Sequence, residues 1–253
     1  MNYANVLLFE NQDVLTTFAV AYLSYLAREA VAARGRCLIA LSGGGTPQPV
    51  YESLAKEPHR DAFPWNETHF LLGDERLVPT NHPDSNLFQA KKYLLDPAGV
   101  PANNIYAVNS RLDPAAAAAD YAARLQTLAA PGSDWPRLDI ALNGLGADGH
   151  TASLFPAAEN PTYSAPVIAV TAAYADRPAH RVTLTPLVFN DARHLIYLVA
   201  GQGKAAAVAA ALQGPLDPAG TPTHRLQLRS GRVFWLLDRT AAGELNAIAT
   251  AAH

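Results

Sequence analysis

Three short loops of this sequence carry residues able to do chemistry. GLGADGHTASLFP, residues 144–156, presents His150 after a run of glycines, two positions from Asp148. A histidine with an ordinary pKa of about 6.5 suits a proton carrier near neutrality, and a neighbouring aspartate can orient its ring. SGGGTP, residues 42–47, sets Ser42, Gly43, Gly44, Gly45 and Thr46 ahead of Pro47. Glycines let backbone N–H groups turn toward a ligand, and the positive end of a helix dipole favours an anion, so this loop suits a phosphate. The plainer alternative is a glycine turn capped by Thr46, with Pro47 in the first helical position. GDERLVP, residues 73–79, packs Asp74, Glu75 and Arg76 together, as a surface salt-bridge cluster or as part of a site.

Gly144, Gly146 and Gly149 also spell G-x-G-x-x-G, the dinucleotide fingerprint. That fingerprint needs a helix opening at the glycines and an acid about 20 residues on for the ribose. Here Pro156 and Pro161 interrupt any helix, and the next strand ends in threonine. The glycines read instead as a tight turn after a strand. SGGGTP is no Walker A loop, because no G-K-[ST] follows. There is no H-E-x-x-H, C-x-x-C or G-x-S-x-G pattern, so no metal, no cofactor and no serine nucleophile is expected.

The elements that must position these loops alternate along the chain. Strands are predicted at VLLF (6–9), CLIAL (37–41), HFLLG (69–73, running into a polar loop), NIYAV (104–108) and LDIALNG (138–144). Further strands are predicted at VIAVT (167–171), HRVTLT (180–185), HLIYLVAG (194–201) and RVFWLLD (232–238). Helical patterns fall at 13–34, from Thr46-Pro47, at 85–95, from Asp113-Pro114 to Leu128, at about 204–212, and after the last strand. Such alternation argues an α/β fold with a mostly parallel sheet covered on both faces, and the lack of a linker or repeat argues one domain over residues 1–253. Ligands bind beyond the carboxyl ends of such strands, which is where all three loops lie.

Composition narrows the partners. Of 253 residues 49% are hydrophobic and 16% charged, as in an ordinary globular protein, and the net charge is −3. That charge leaves no electrostatic footprint for nucleic acid or an anionic membrane. The single cysteine, Cys37, lies in an apolar run and reads as a buried thiol, with no disulfide. No apolar run approaches the ~18 residues of a membrane span, and the N-terminus does not read as a signal peptide, so a cytoplasmic location is expected. Oligomeric state is not legible.

Taken in order, SGGGTP, GDERLVP, HPDSN (82–86) and GLGADGHTASLFP resemble the 6-phosphogluconolactonase family, and HRVTLTP (180–186) and GQGK (201–204) continue the match more weakly. The wider superfamily includes glucosamine-6-phosphate deaminase, whose histidine loop ends in an A-F-N-E-P type sequence. Here it ends A-S-L-F-P, with Phe155 where the deaminase has glutamate, which favours the lactonase. The resemblance implies a three-layer α/β/α Rossmann-like sheet and hydrolysis of 6-phospho-D-glucono-1,5-lactone, a step of the oxidative pentose phosphate pathway, without metal or cofactor. It implies a catalytic set of His150 as general base, Arg76 stabilising the oxyanion or gripping the phosphate, and Asp74 positioning Arg76 or the sugar or serving as a second acid/base. It also implies a phosphate held by the 42–46 loop with Arg181 and Lys204. Asp148 would hold His150. The alternatives are a deaminase or isomerase on the same fold and a non-catalytic sugar-phosphate sensor, against which the absence of a basic helix-turn-helix counts.

Overall fold

CLIAL is an uninterrupted apolar run and IALN is apolar up to its last residue, Asn143; both are buried along their whole length, which requires cover on both faces of their sheet. The computed structural model describes residues 5–174 and 177–246. In chain order, β1 (Asn5–Phe9) leads to α1 (Gln12–Arg34), β2 (Cys37–Leu41), α2 (Pro47–Leu54), α3 (His59–Ala62), β3 (Thr68–Leu72) and β4 (Asp74–Arg76). Then come α4 (Asn86–Ala90), β5 (Ile105–Tyr106), α5 (Pro114–Gln126), β6 (Ile140–Asn143), β7 (Val167–Thr171) and β8 (His180–Leu184). α6 (Pro186–Phe189), β9 (His194–Val199), α7 (Ala205–Gln213) and β10 (Arg232–Asp238) complete the set.

Seven strands form one sheet in the order β1-β10-β9-β6-β2-β3-β5, and every pairing in it is parallel. From β2 the chain winds outward through β3 and β5. It then returns to place β6 on the other side of β2, pairing Ile39 with Ile140 and Ala40 with Ala141. The direction of winding reverses between β2 and β6, and such a switch point opens a crevice at the carboxyl ends of the two strands. SGGGTP leaves one of those ends and GLGADGH the other. Asn11, Ser85 and Asp113 accept the N-terminal amides of Val14, Phe88 and Ala116, capping α1, α4 and α5.

The second sheet departs from the expectation of a single sheet. β4, β8 and β7 form it, antiparallel throughout. Asp-Glu-Arg was expected as a polar loop, but past Gly73 the chain turns out of the first sheet and pairs with a strand about a hundred residues on, Asp74 opposite Thr183 and Arg76 opposite Arg181. Arg181 lies inside β8, within the strand predicted at 180–185. Thr46 is not a side-chain cap: it already has helical angles and its hydroxyl makes no capping bond, while Pro47 does open α2. NIYAV contributes only Ile105–Tyr106 as strand, α5 stops at Gln126, and the 85–95 helix widens to a π-helical turn over Lys91–Leu95. Of the expected final helix, residues 239–244 form turns, 245–246 are irregular, and the rest lies outside the described residues.

Candidate active site

At the crevice between β2 and β6 lies a cleft of about 450 Å³. Ser42, Gly43, Gly44, Gly45, Thr46, Asp74, Arg76, His150, Arg181 and Lys204 line it, which is every residue the resemblance places in the site except Asp148. Asp148 stands directly behind His150.

The 42–46 loop is built to expose amides. The Tyr51 hydroxyl clamps its root, accepting from Ser42 N at 3.1 Å and donating to Ser42 O at 2.7 Å. Gly44 has a φ of 103°, and a Cβ on Gly43 would fall 1.8 Å from Asn86 Oδ1. Among the described residues the amides of Gly43, Gly45 and Thr46 have no protein acceptor, and that of Gly44 reaches Gln89 only at 3.5 Å. Unpaired N–H groups at the start of a helix make an anion seat.

Cations collect opposite. Arg76 and Arg181 face each other across the antiparallel pair β4–β8, an arrangement that costs stability when no anion lies between them. Neither forms an ion pair with a carboxylate among the described residues. Arg76 donates to the Asp84 carbonyl at 2.7 Å, and its Nε is buried without a partner. Arg181 is 2% exposed, its guanidinium 5.6 Å from the ring centres of both Phe155 and Tyr174. Burial, then the charge of Arg76, lowers its pKa. Burial likewise pulls the Lys204 ammonium down, with Asp148 opposing.

His150 is held from behind. Its Nδ1 lies 2.5 Å from Asp148 Oδ1, and the other carboxylate oxygen accepts from the Tyr174 hydroxyl, which is also 3.1 Å from Nδ1. Burial pushes the Asp148 carboxyl up, but the bonds from His150 and Tyr174 outweigh it and hold it well below the usual range. With Nδ1 facing a carboxylate, the neutral ring carries its proton there, and Nε2 keeps the lone pair. The Phe155 ring packs 5.2 Å from that of His150. Gly149, at φ 85°, turns the loop, and Gly146 leaves room for the imidazole: a Cβ there would lie 2.0 Å from Nδ1.

The Asp-Glu-Arg triplet divides its work. Asp74 accepts from Asn86 Nδ2 at 3.0 Å and from Ser153 Oγ at 2.6 Å, joining three loops. Glu75 faces away from this hub and accepts from the amides of Arg76, Asn86 and Leu87 and the Ser85 hydroxyl, pinning α4 to β4. Burial still raises its pKa over those four bonds. Sequence reasoning missed Asn86, Ser153, Tyr174, Arg177 and Gln12. Asn86 and Ser153 sit in loops already singled out. Tyr174 and Arg177 come from the β7–β8 connection, whose spacing carries no signal, and Gln12 opens α1.

Fold and site together define an α/β protein with a carboxylate-backed histidine in a cleft of unpaired amides and cationic side chains at a sheet switch point. A family model described as glucosamine-6-phosphate isomerases/6-phosphogluconolactonase matches residues 10–235. A 6-phosphogluconolactonase of a Nostoc species is 41% identical over 222 residues, 86% of this chain and 88% of that protein. One from Mycobacterium tuberculosis is 35% identical over 249 residues, 96% of this chain and 98% of that protein. The crystal structure of 6-phosphogluconolactonase from Leishmania guyanensis superposes with a TM-score of 0.81 at 28% identity, covering 97% of this chain and all of that one. The chain belongs to the glucosamine-6-phosphate isomerase/6-phosphogluconolactonase family.

Proposed function

We propose that this chain hydrolyses 6-phospho-D-glucono-1,5-lactone to 6-phospho-D-gluconate. The observation that carries the reading is the pairing, in one cleft, of a histidine backed by Asp148 with unpaired loop amides and two arginines that form no ion pair among the described residues. A sugar ester with a phosphate at its far end meets both.

In this reading the amides of Gly43, Gly44, Gly45 and Thr46 take the phosphate, with Lys204 and Arg181 supplying charge. His150 Nε2 removes a proton from water as the oxygen attacks the lactone carbonyl. The tetrahedral oxyanion gathers its charge beside Arg76. Collapse breaks the bond to the ring oxygen, which takes the proton back from the imidazolium, leaving a carboxylic acid that ionises. Transfer of this kind contributes about 10²–10⁴ in rate, enough for an activated ester without a covalent intermediate. Asp148 orients the ring, and Asp74, with both oxygens engaged, holds Asn86 and Ser153 as a frame for the cleft. Phe155 offers His150 an apolar face and no proton, unlike the glutamate expected of a deaminase. A cytoplasmic location and a small sugar-phosphate lactone as the ligand belong to the same reading. Both agree with a net charge of −3, and no helix among the described residues is long and apolar enough to cross a membrane.

The test couples fresh 6-phosphogluconolactone to 6-phosphogluconate dehydrogenase and subtracts the spontaneous rate. His150→Ala is expected to lose about 10²–10⁴ in kcat. A wild-type rate no faster than buffer, or ammonia released from glucosamine 6-phosphate, would overturn the proposal.

A further inference from the structure

We propose that Tyr174 is a positioning residue for the proton carrier: its phenol pins Asp148, so that Asp148 holds His150 in the orientation and tautomer the reaction needs. The proposal rests on the reading of His150 as the general base.

Asp148 sits on a turn with its side chain 41% exposed, so His150 alone would not fix its carboxylate plane. The phenol takes the oxygen that His150 leaves, and the two donors together lock the plane. The Tyr174 ring is itself held, edge-on to Phe155 at 5.7 Å and beneath the guanidinium of Arg181, with that of Arg177 5.2 Å from its centre. Burial, then the hydrogen bond to Asp148, pushes the phenol up to about 12, so it remains a donor wherever the enzyme works.

The origin of the two partners gives the contact its consequence. His150 and Asp148 follow β6 of the parallel sheet. Tyr174 follows β7 of the antiparallel sheet, and the backbone bond from Ala172 N to Ala179 O at 2.8 Å draws the two sides of that connection together. The phenol therefore ties the second sheet to the first at the point where the ring must be aimed. If the Asp148 carboxylate turns away, Nδ1 loses its acceptor, and the tautomer protonated on Nε2, which cannot take a proton from water there, becomes populated.

Tyr174→Phe removes the hydroxyl and keeps the ring. Its kcat is expected to fall about ten- to hundredfold, the worth of one hydrogen bond to a charged group, with KM within about twofold. Nitrogen-15 NMR of the His150 ring at alkaline pH should show the Nδ1-protonated form in the wild type and a mixture in the variant. In Asp148→Asn, adding Tyr174→Phe should cost little more, because the two act in series. Rescue of kcat is not expected in Tyr174→Ala, whose KM should also rise as Arg181 loses its support. Unchanged kcat and an unchanged tautomer ratio in Tyr174→Phe would overturn the proposal. A wild type with no lactonase activity whose ring nonetheless changes tautomer on Tyr174→Phe would sink the functional reading and leave the pinning intact.

Discussion

Gly146→Ala probes the site at a residue with no chemistry of its own. A Cβ at this position falls 2.0 Å from Nδ1 and 2.3 Å from Cε1 of His150, and 2.3 Å from Asp148 Oδ1. Non-bonded carbon contacts settle at about 3.5–4.0 Å, so the ring and the carboxylate must retreat by roughly 1.5 Å or change rotamer. Behind the ring stand Phe155 and Tyr174, and Tyr174 also holds the carboxylate. The backbone is not the obstacle. The positive-φ residues of this loop are Gly149 and Ala152, not Gly146, and an alanine at ordinary angles adds about 0.4–1 kcal/mol through the unfolded state. A misplacement of about 1 Å at a reacting group costs on the order of 10²-fold, or about 2.7 kcal/mol of barrier. The expected outcome is a kcat lowered about a hundredfold, with KM within about threefold because the phosphate seat lies on the other loop. The coupled lactonase assay reads both, and a thermal melt checks that the fold is kept. Gly149→Ala is the control: its Cβ meets open space, but its φ of 85° costs a side chain about 1–2 kcal/mol, so stability should fall more than turnover. A Gly146→Ala enzyme with kcat within about threefold of wild type refutes the placement of the base against this glycine.

Three other outcomes follow from the same geometry. Arg181→Gln should raise KM for the phosphorylated lactone about ten- to hundredfold, and an unchanged KM removes Arg181 from the anchor. Tyr51→Phe takes away both bonds that root the 42–46 loop and leaves Ser42 N without its acceptor, so chemical denaturation should show a loss of about 1–3 kcal/mol together with a higher KM. Cys37 is fully buried and burial pushes its thiol well above the ordinary range, so it should resist a thiol reagent in the native protein and react once the chain is unfolded; rapid native labelling contradicts this.

The parallel sheet was legible because a strand covered on both faces must be apolar along most of its length. CLIAL, IALN and HLIYLV announce themselves, and the loops after them had to meet at one edge. The second sheet was not legible. β4 is three residues long, all charged, and its identity as a strand depends on partners in β8 that local pattern does not name. That one omission explains most of what was missed. Arg76 and Arg181 could be listed as basic residues near a strand end, but only the register Arg76–Arg181 makes them a pair of opposed charges waiting for an anion. Tyr174 had no motif at all, and its role appears only when β7 and β8 fold back over the histidine loop. The Thr46 cap failed for a related reason: the helical angles at Thr46 start the helix early and leave its amide for a ligand.

The cleft is thus a seam between two sheets, and each side contributes a different kind of group to it. The parallel side contributes groups whose placement is inexpensive, glycine amides and a turn that seats an imidazole. The antiparallel side contributes opposed arginines, which a fold selected for stability alone would not place face to face. Glu75, Asp74 and Tyr174 are the ties that hold the costly side to the inexpensive one, through α4, the Ser153 loop and Asp148 respectively. An anion bound between the arginines would relieve their repulsion, so a ligand that carries one should stabilise the fold that places them face to face.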